Sequence, residues 1–108
     1  MSLRTAERRR AVRVPAVFPA TLRDRRGRLL ARGRTADISE RGTLIMAKAQ
    51  RGDPRLGEAF LEMSLPTPSE VCPRRHGQRI VHYLCRIVRV QPLGQLVGLG
   101  VEFLQKLA

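Results

Sequence analysis

The chain has 108 residues, 21 lysines and arginines against 9 acids, and a formal net charge of +12. That length provides for one domain with a single modest core, and 43% hydrophobic residues argue against a disordered basic tail. No apolar run approaches a membrane span, and the charged N-terminus lacks the apolar stretch of a signal peptide.

Taken in chain order, the first feature is a basic arm over residues 1–14, ahead of a folded domain over 15–108. It contains Arg8-Arg9-Arg10-Ala11-Val12-Arg13, with an Arg-x-x-x-Arg spacing at Arg9 and Arg13. Ala16, Phe18, Ala20 and Leu22 then form the inward row of a first strand, with Pro19 on the outward parity as at an edge. Asp24–Gly27 reads as a turn. Arg28–Ser39 and Gly42–Ala47 read as two strands around a tight connection. In the former, Leu29 and Ala31 disagree in parity with Ala36 and Ile38, which predicts a bulge at Gly33. Glu58–Leu65 alternates cleanly, with Ala59, Leu61, Met63 and Leu65 facing in. Arg79–Val90 is apolar on both parities and should bend or twist. Val97, Leu99, Val101 and Phe103 give a last inward row, with Gly98, Gly100 and Glu102 on the other face. Turns are expected at Gln50–Gly57, Pro66–Gly77 and Gln91–Gln95, and Phe103–Ala108 has room for a helical stub. Six short strands at this spacing predict an all-β fold, an antiparallel barrel or a sandwich.

Only Lys48 and Lys106 are lysine, so arginine supplies the rest of the positive charge. Residues 1–34 hold 11 arginines against Glu7 and Asp24, which puts three quarters of the net charge in the first third. Arginine's planar fork makes paired hydrogen bonds to phosphate or to a guanine edge and stacks on flat rings. A genome rich in G and C also raises the arginine count, so the count by itself assigns these cations no task. Asp37-Ile38-Ser39-Glu40-Arg41-Gly42 stands between the second and third strands. By itself Asp-x-Ser before a glycine is ordinary turn chemistry, as the arginine spacing by itself is expected from composition.

Together and in this order, the two patterns resemble the PilZ domain family, the bacterial receptors for cyclic di-GMP. The resemblance covers nearly the whole chain: Arg9-x-x-x-Arg13-Val14-Pro15 entering a strand, Asp37-x-Ser39-x-x-Gly42 between strands, and Gly98-x-Gly100-Val101-x-Phe103 closing it. It implies a six-stranded antiparallel β-barrel with at most a short C-terminal helix in this chain. It also implies a ligand site at Arg9, Arg13, Asp37, Ser39 and Gly42. A basic residue at Arg8 is associated in the family with capturing two stacked ligand molecules, so one or two per chain are expected.

Those residue types suit that ligand. Arg9 and Arg13, up to about 13–14 Å apart in an extended arm, can each reach a phosphate or the guanine acceptors O6 and N7. Ionised Asp37 can accept from guanine N1–H and N2–H, and Ser39 adds a hydroxyl beside it. Gly42 lets backbone approach a flat base or take a left-handed turn. An acid among the cations is the informative element, because a site for phosphate alone would exclude it. The like-charged run Arg8–Arg10 should resist packing without an anion, so the arm is expected to be mobile and to order on the ligand, presenting a new surface to an unidentified protein partner.

Other chemistry fits less well. With no export signal, Cys72 and Cys85 read as free thiols in a cytoplasmic protein. Cys72, His76, His82 and Cys85 match no usual closed zinc spacing, and His82 and Cys85 differ in strand parity. No nucleophile elbow, Walker loop or dinucleotide fingerprint is present, so a non-enzyme without a cofactor is expected. A sequence-tolerant nucleic-acid barrel agrees with the net charge. Aromatics at 4% and no tryptophan argue against its stacking platform, since Phe18 and Phe103 look committed to the core and leave Tyr83 and Phe60. A barrel of the same family acting as a ligand-free adaptor would normally have lost one of the two motifs, and both are intact.

Overall fold

The computed structural model describes residues 14–49, 55–68 and 76–107. Its strands are β1 (Val14–Pro15), β2 (Pro19–Arg23), β3 (Leu29–Ile38), β4 (Gly42–Ala49), β5 (Gly57–Pro68), β6 (His76–Leu93) and β7 (Leu96–Lys106). Six of them, in the order β3-β2-β5-β6-β7-β4, close into an antiparallel barrel through a β3–β4 pairing. This is the expected all-β architecture. The small β1 lies in line with β2 against the far end of β3, pairing Val14 with Ile38 and Pro15 with Asp37. Of the arm expected over 1–14, residues 1–13 lie outside the described residues.

Alternation builds the core. Ala20 and Leu22 of β2, Ile45 and Ala47 of β4, Ala59, Leu61 and Met63 of β5, and Val97, Leu99 and Val101 of β7 all point inward and are buried. Each buried Leu, Ile, Val or Met contributes about 1.5–3 kcal/mol relative to exposure. The turn at Asp24 forms as its residues dictate: its carboxylate accepts the amides of Arg26 at 2.8 Å and Arg28 at 2.9 Å. Gly27 there takes φ +82°, a region open to glycine.

The two strands with mixed parity are both interrupted by extra residues, β3 also at Leu30, opposite the Leu22–Arg23 step of β2. In β3, Thr35 pairs with Ile45 and Asp37 with Leu44, so Ala36 is the bulged residue. The bulge therefore sits at Ala36 and not at Gly33. Gly33 is a glycine for another reason: a Cβ there would stand 2.0 Å from the Met46 carbonyl oxygen of β4. In β6, Ile87 pairs with Val101 and Arg89 with Gly100, which leaves Val88 as the extra residue. Val81, Cys85 and Ile87 face in before it, and Val90 packs on the core after it.

Thr35 anchors the segment between β1 and β2. Buried at 2% exposure, its hydroxyl donates to the Ala16 carbonyl at 2.6 Å and accepts the Phe18 amide at 2.9 Å. Both polar functions of a buried hydroxyl are thus satisfied, where an unmet one would cost about 1–3 kcal/mol.

The C-terminal stub is strand and not helix. β7 continues through Lys106, which pairs with Tyr83, and the Leu107 amide donates to the His82 carbonyl at 2.7 Å. Long-range pairing overrides the local helical pattern there. Among the described residues there is no helix, and so none long and apolar enough to cross a membrane.

Cys85 is fully buried and its thiol donates to the Ala59 carbonyl at 3.3 Å. Burial pushes the thiol from 9.0 up to about 12, against a smaller lowering by that hydrogen bond. The unfolded chain loses this proton first, so the stabilisation is complete below about pH 9 and is lost as pH rises from 9 towards 12. Urea unfolding at pH 8, 10 and 11 should show a steeper decline for the parent than for Cys85→Ala.

Candidate functional site

The Asp37–Gly42 sequence forms the β3–β4 hairpin, and its side chains are largely engaged in building it. The Ser39 amide donates to the Gly42 carbonyl at 2.9 Å, and the Ser39 hydroxyl accepts the Arg41 amide at 3.2 Å. The same hydroxyl donates to the Gly42 carbonyl at 3.4 Å, which leaves one lone pair for a ligand. Buried Thr43 donates to the Asp37 carbonyl at 2.6 Å and pins the backbone of the acid. The Phe103 amide of β7 donates to the Arg41 carbonyl at 2.6 Å and ties the turn to the closing strand.

Of the two expectations for Gly42, the left-handed turn is not what forms. Its φ is not in the left-handed region, and the space a Cβ would take lies 2.0 Å from the Val101 carbonyl oxygen of β7. The missing side chain admits the neighbouring strand.

Asp37 owes its direction to the bulge. Uninterrupted alternation would set it on the inward parity of Ala31, Gly33 and Thr35. The extra residue at Ala36 moves it to the outer face, opposite Leu44. From Leu44 the outer register continues through Gly100 of β7 to Arg89 of β6. Arg89 is likewise turned out by a bulge, the one at Val88. The row Asp37–Leu44–Gly100–Arg89 crosses three strand spacings, about 14 Å in all.

A depression of about 390 Å³ lies over the Leu44–Gly100–Arg89 part of this row, lined by Ser39, Arg41, Gly42, Arg89, Gly100 and Glu102 among others, and Asp37 stands outside its lining. Arg41 and Glu102 also line an adjoining hollow of about 340 Å³ with Glu40 and Phe103. Sequence reasoning missed Arg41, Arg89 and Glu102. Gly98 and Gly100 at successive outward positions of one strand were the available signal, since two absent side chains on one face make a trough. Arg89 had no such signal, because its outward direction depends on pairing with β7.

Arg8, Arg9 and Arg13 fall outside the described residues. What is described is where their segment joins the barrel: Val14 sits opposite Ile38, beside Asp37 and one residue from Ser39. Among the set-aside residues, His82 is exposed and 3.2 Å from Glu62, whereas Cys85 is buried on the other side of β6. Cys72 is outside the described residues. Tyr83 is not left over for stacking, because its ring lies 4.3 Å from that of Phe103, nearly parallel at 16°, against the core. Phe60, at 38% exposure, is the aromatic that faces out.

The family model described as PilZ domain matches residues 7–108. Among solved structures, the Bacillus subtilis inhibitor of motility (MotI/DgrA) superposes with a TM-score of 0.68 at 18% identity, over 94% of this chain and 44% of that one. That likeness is one of fold, and the chain spans less than half of the neighbour's length. No curated protein matches the chain in sequence.

Gly42→Ala should lower stability by about 1–3 kcal/mol, because its Cβ must push the β7 backbone away. Chemical denaturation measures the loss. Amide shift changes should spread along Val101–Phe103 and not stay within the hairpin.

Proposed function

This chain belongs to the PilZ domain family, and on that premise we propose that it is a receptor for cyclic di-GMP that signals to a protein partner. Domains of the family bind this dinucleotide and interact with other proteins. The observation that carries the reading for this chain is the β1 register, which joins the arginine segment to the barrel opposite Asp37 and Ile38. Arg13 precedes Val14 by one residue and Arg9 by five, within about 18 Å of extended chain. The Arg-x-x-x-Arg segment is therefore tethered where the outward-turned acid stands.

The roles follow from functional groups. Arg9 and Arg13 bind the phosphates or the guanine O6 and N7 edge. Asp37 accepts from guanine N1–H and N2–H, and Ser39 adds its remaining hydroxyl capacity. Arg8 stacks on a second guanine when two molecules bind. Gly42 serves the site indirectly, by letting the hairpin close against β7. The trough supplies further chemistry: Arg89 meets phosphate or a base edge, and Glu102 meets base donors. The ligand then draws residues 1–13 onto the barrel, and the new surface is what the partner reads. The domain acts by binding and not by catalysis.

Calorimetry with cyclic di-GMP, GMP and a short RNA tests this. The dinucleotide should saturate at one or two per chain, while RNA binding should be weaker and fall steeply with salt. Asp37→Asn keeps the shape of the acid but puts a donor before the guanine donors, and should weaken the dinucleotide by about tenfold or more. Asp37→Ala should do the same while leaving RNA binding unchanged or tighter. Undiminished dinucleotide affinity in both variants would exclude the guanine role. No heat with cyclic di-GMP would favour a ligand-free adaptor. Amide exchange over residues 4–14 should slow on ligand addition, and equal protection in both states would rule out the ordering of the arm.

A further inference from the structure

The barrel carries a second outer surface that the hairpin and its trough do not use. On β3, Arg32 and Arg34 face out, and Arg32 pairs across to Lys48 of β4 on one side and Thr21 of β2 on the other. Arg32, Arg34 and Lys48 are all exposed, and among the described residues none of them takes part in an ion pair. In the neighbouring turn Arg25 differs in this respect, bonded to Glu58 at 2.6 Å, while Arg23 donates to the Gly27 carbonyl at 3.2 Å and Arg26 and Arg28 take part in no ion pair among the described residues. Three cations without an ion pair among the described residues, on a grid of about 5 by 7 Å, raise a local positive field.

This basic field meets a depression at β2. A hollow of about 330 Å³ is lined by Thr21, Arg23, Phe60, Glu62, His82 and Tyr83 among others. Phe60, paired with Arg23 across β2 and β5, holds its ring at the edge of the hollow at 38% exposure. The hollow has room for one large apolar side chain. Its two flanks differ in charge: the register row runs His82, Glu62, Thr21, Arg32, Lys48, so acid lies on the β5 side and base on the β3 side.

We propose that this face docks a segment of a partner protein that presents one bulky apolar side chain flanked on one side by acidic residues. It rests on the reading of the chain as a receptor acting through a protein partner, and it adds to the surface that the ordered arm presents a second contact, on a face the barrel holds without ligand, with the chemistry of the partner segment that meets it. The apolar side chain seats in the Phe60 hollow, and the acids extend over Arg32, Arg34 and Lys48. In an extended segment, alternate side chains recur about every 6.6–6.8 Å, the same interval that separates Arg32 from Arg34. Arginine beside an aromatic at the rim of a pocket is the residue mix that concentrates binding energy in protein interfaces. A nucleic acid fits worse, because Phe60 is the exposed aromatic of this face, the other aromatic of the hollow, Tyr83, is stacked on Phe103, and no platform for successive bases results. Glu62, held by His82, sets the direction in which the segment lies, since acids placed over it would be repelled.

The test needs no cyclic di-GMP, so its outcome is separate from that of the ligand titration. The probe is a fluorescein-labelled peptide with one phenylalanine followed by alternating acids, compared with its reversed sequence and with a single-stranded RNA of equal charge. Anisotropy should report saturable binding of the forward peptide. The double variant Arg32→Glu/Arg34→Glu should weaken it by about tenfold or more, as should Phe60→Ala or loss of the peptide phenylalanine. Amide shifts should map to Thr21, Phe60 and Arg32. These substitutions lie at exposed positions, and unchanged melting temperatures would confirm that the variants fold. No saturation up to about 1 mM, equal binding of the reversed peptide, tighter binding of the RNA, or indifference to Phe60→Ala would each overturn the proposal.

Discussion

Two inserted residues decide what this barrel shows to solvent. Ala36 in β3 and Val88 in β6 each interrupt a strand whose simple alternation would send a charged side chain, Asp37 or Arg89, into the core. A buried charge without a matched partner costs several kcal/mol, more than a domain of this size can spare. The bulges avoid that by turning both residues outward onto one register row over the glycine positions of β7. They also bend the strands, which a six-stranded sheet needs in order to close. The geometry that closes the fold and the geometry that assembles the candidate site are therefore the same.

Much of the fold could be read from alternation. Glu58–Leu65 and Val97–Phe103 are half-buried strands with the expected faces, and the parity conflict in Arg28–Ser39 did signal a bulge. Its position could not be read locally. Gly33 was the natural choice from composition, yet its small size serves the close approach of Met46, while the bulge at Ala36 is supported by Thr35 bonding to Ala16 and Phe18. Those partners lie 17 and 19 residues away in sequence. The strand at Phe103–Lys106 was hidden for the same reason, since its pairing with β6 is long-range.

The site was legible in part. The acid and serine of the hairpin announce themselves by spacing, because turn chemistry and ligand chemistry both use short oxygen-bearing side chains. The turn use is visible in the structure: Ser39 spends most of its hydroxyl on the turn, and Gly42 accommodates Val101. Arg41, Arg89 and Glu102 were hidden among many charges, and only cross-strand register brings them together. The count of cations conveys little by comparison. What distinguishes Arg32, Arg34 and Lys48 from Arg25 is the presence or absence of an acid within reach.

The strand that closes the barrel is paired on both sides, with β4 through Gly42–Ala47 and with β6 through Tyr83–Leu93. It is also the last of the seven described strands. Before it docks, β4 and β6 present open edges, and the core lacks Val97, Leu99 and Val101. Contacts of such long sequence separation place folding in the millisecond-to-second range, as an all-or-none event and not strand by strand. A ribosome must therefore deliver the final strand before the hairpin at Asp37 acquires the neighbour that holds it in shape.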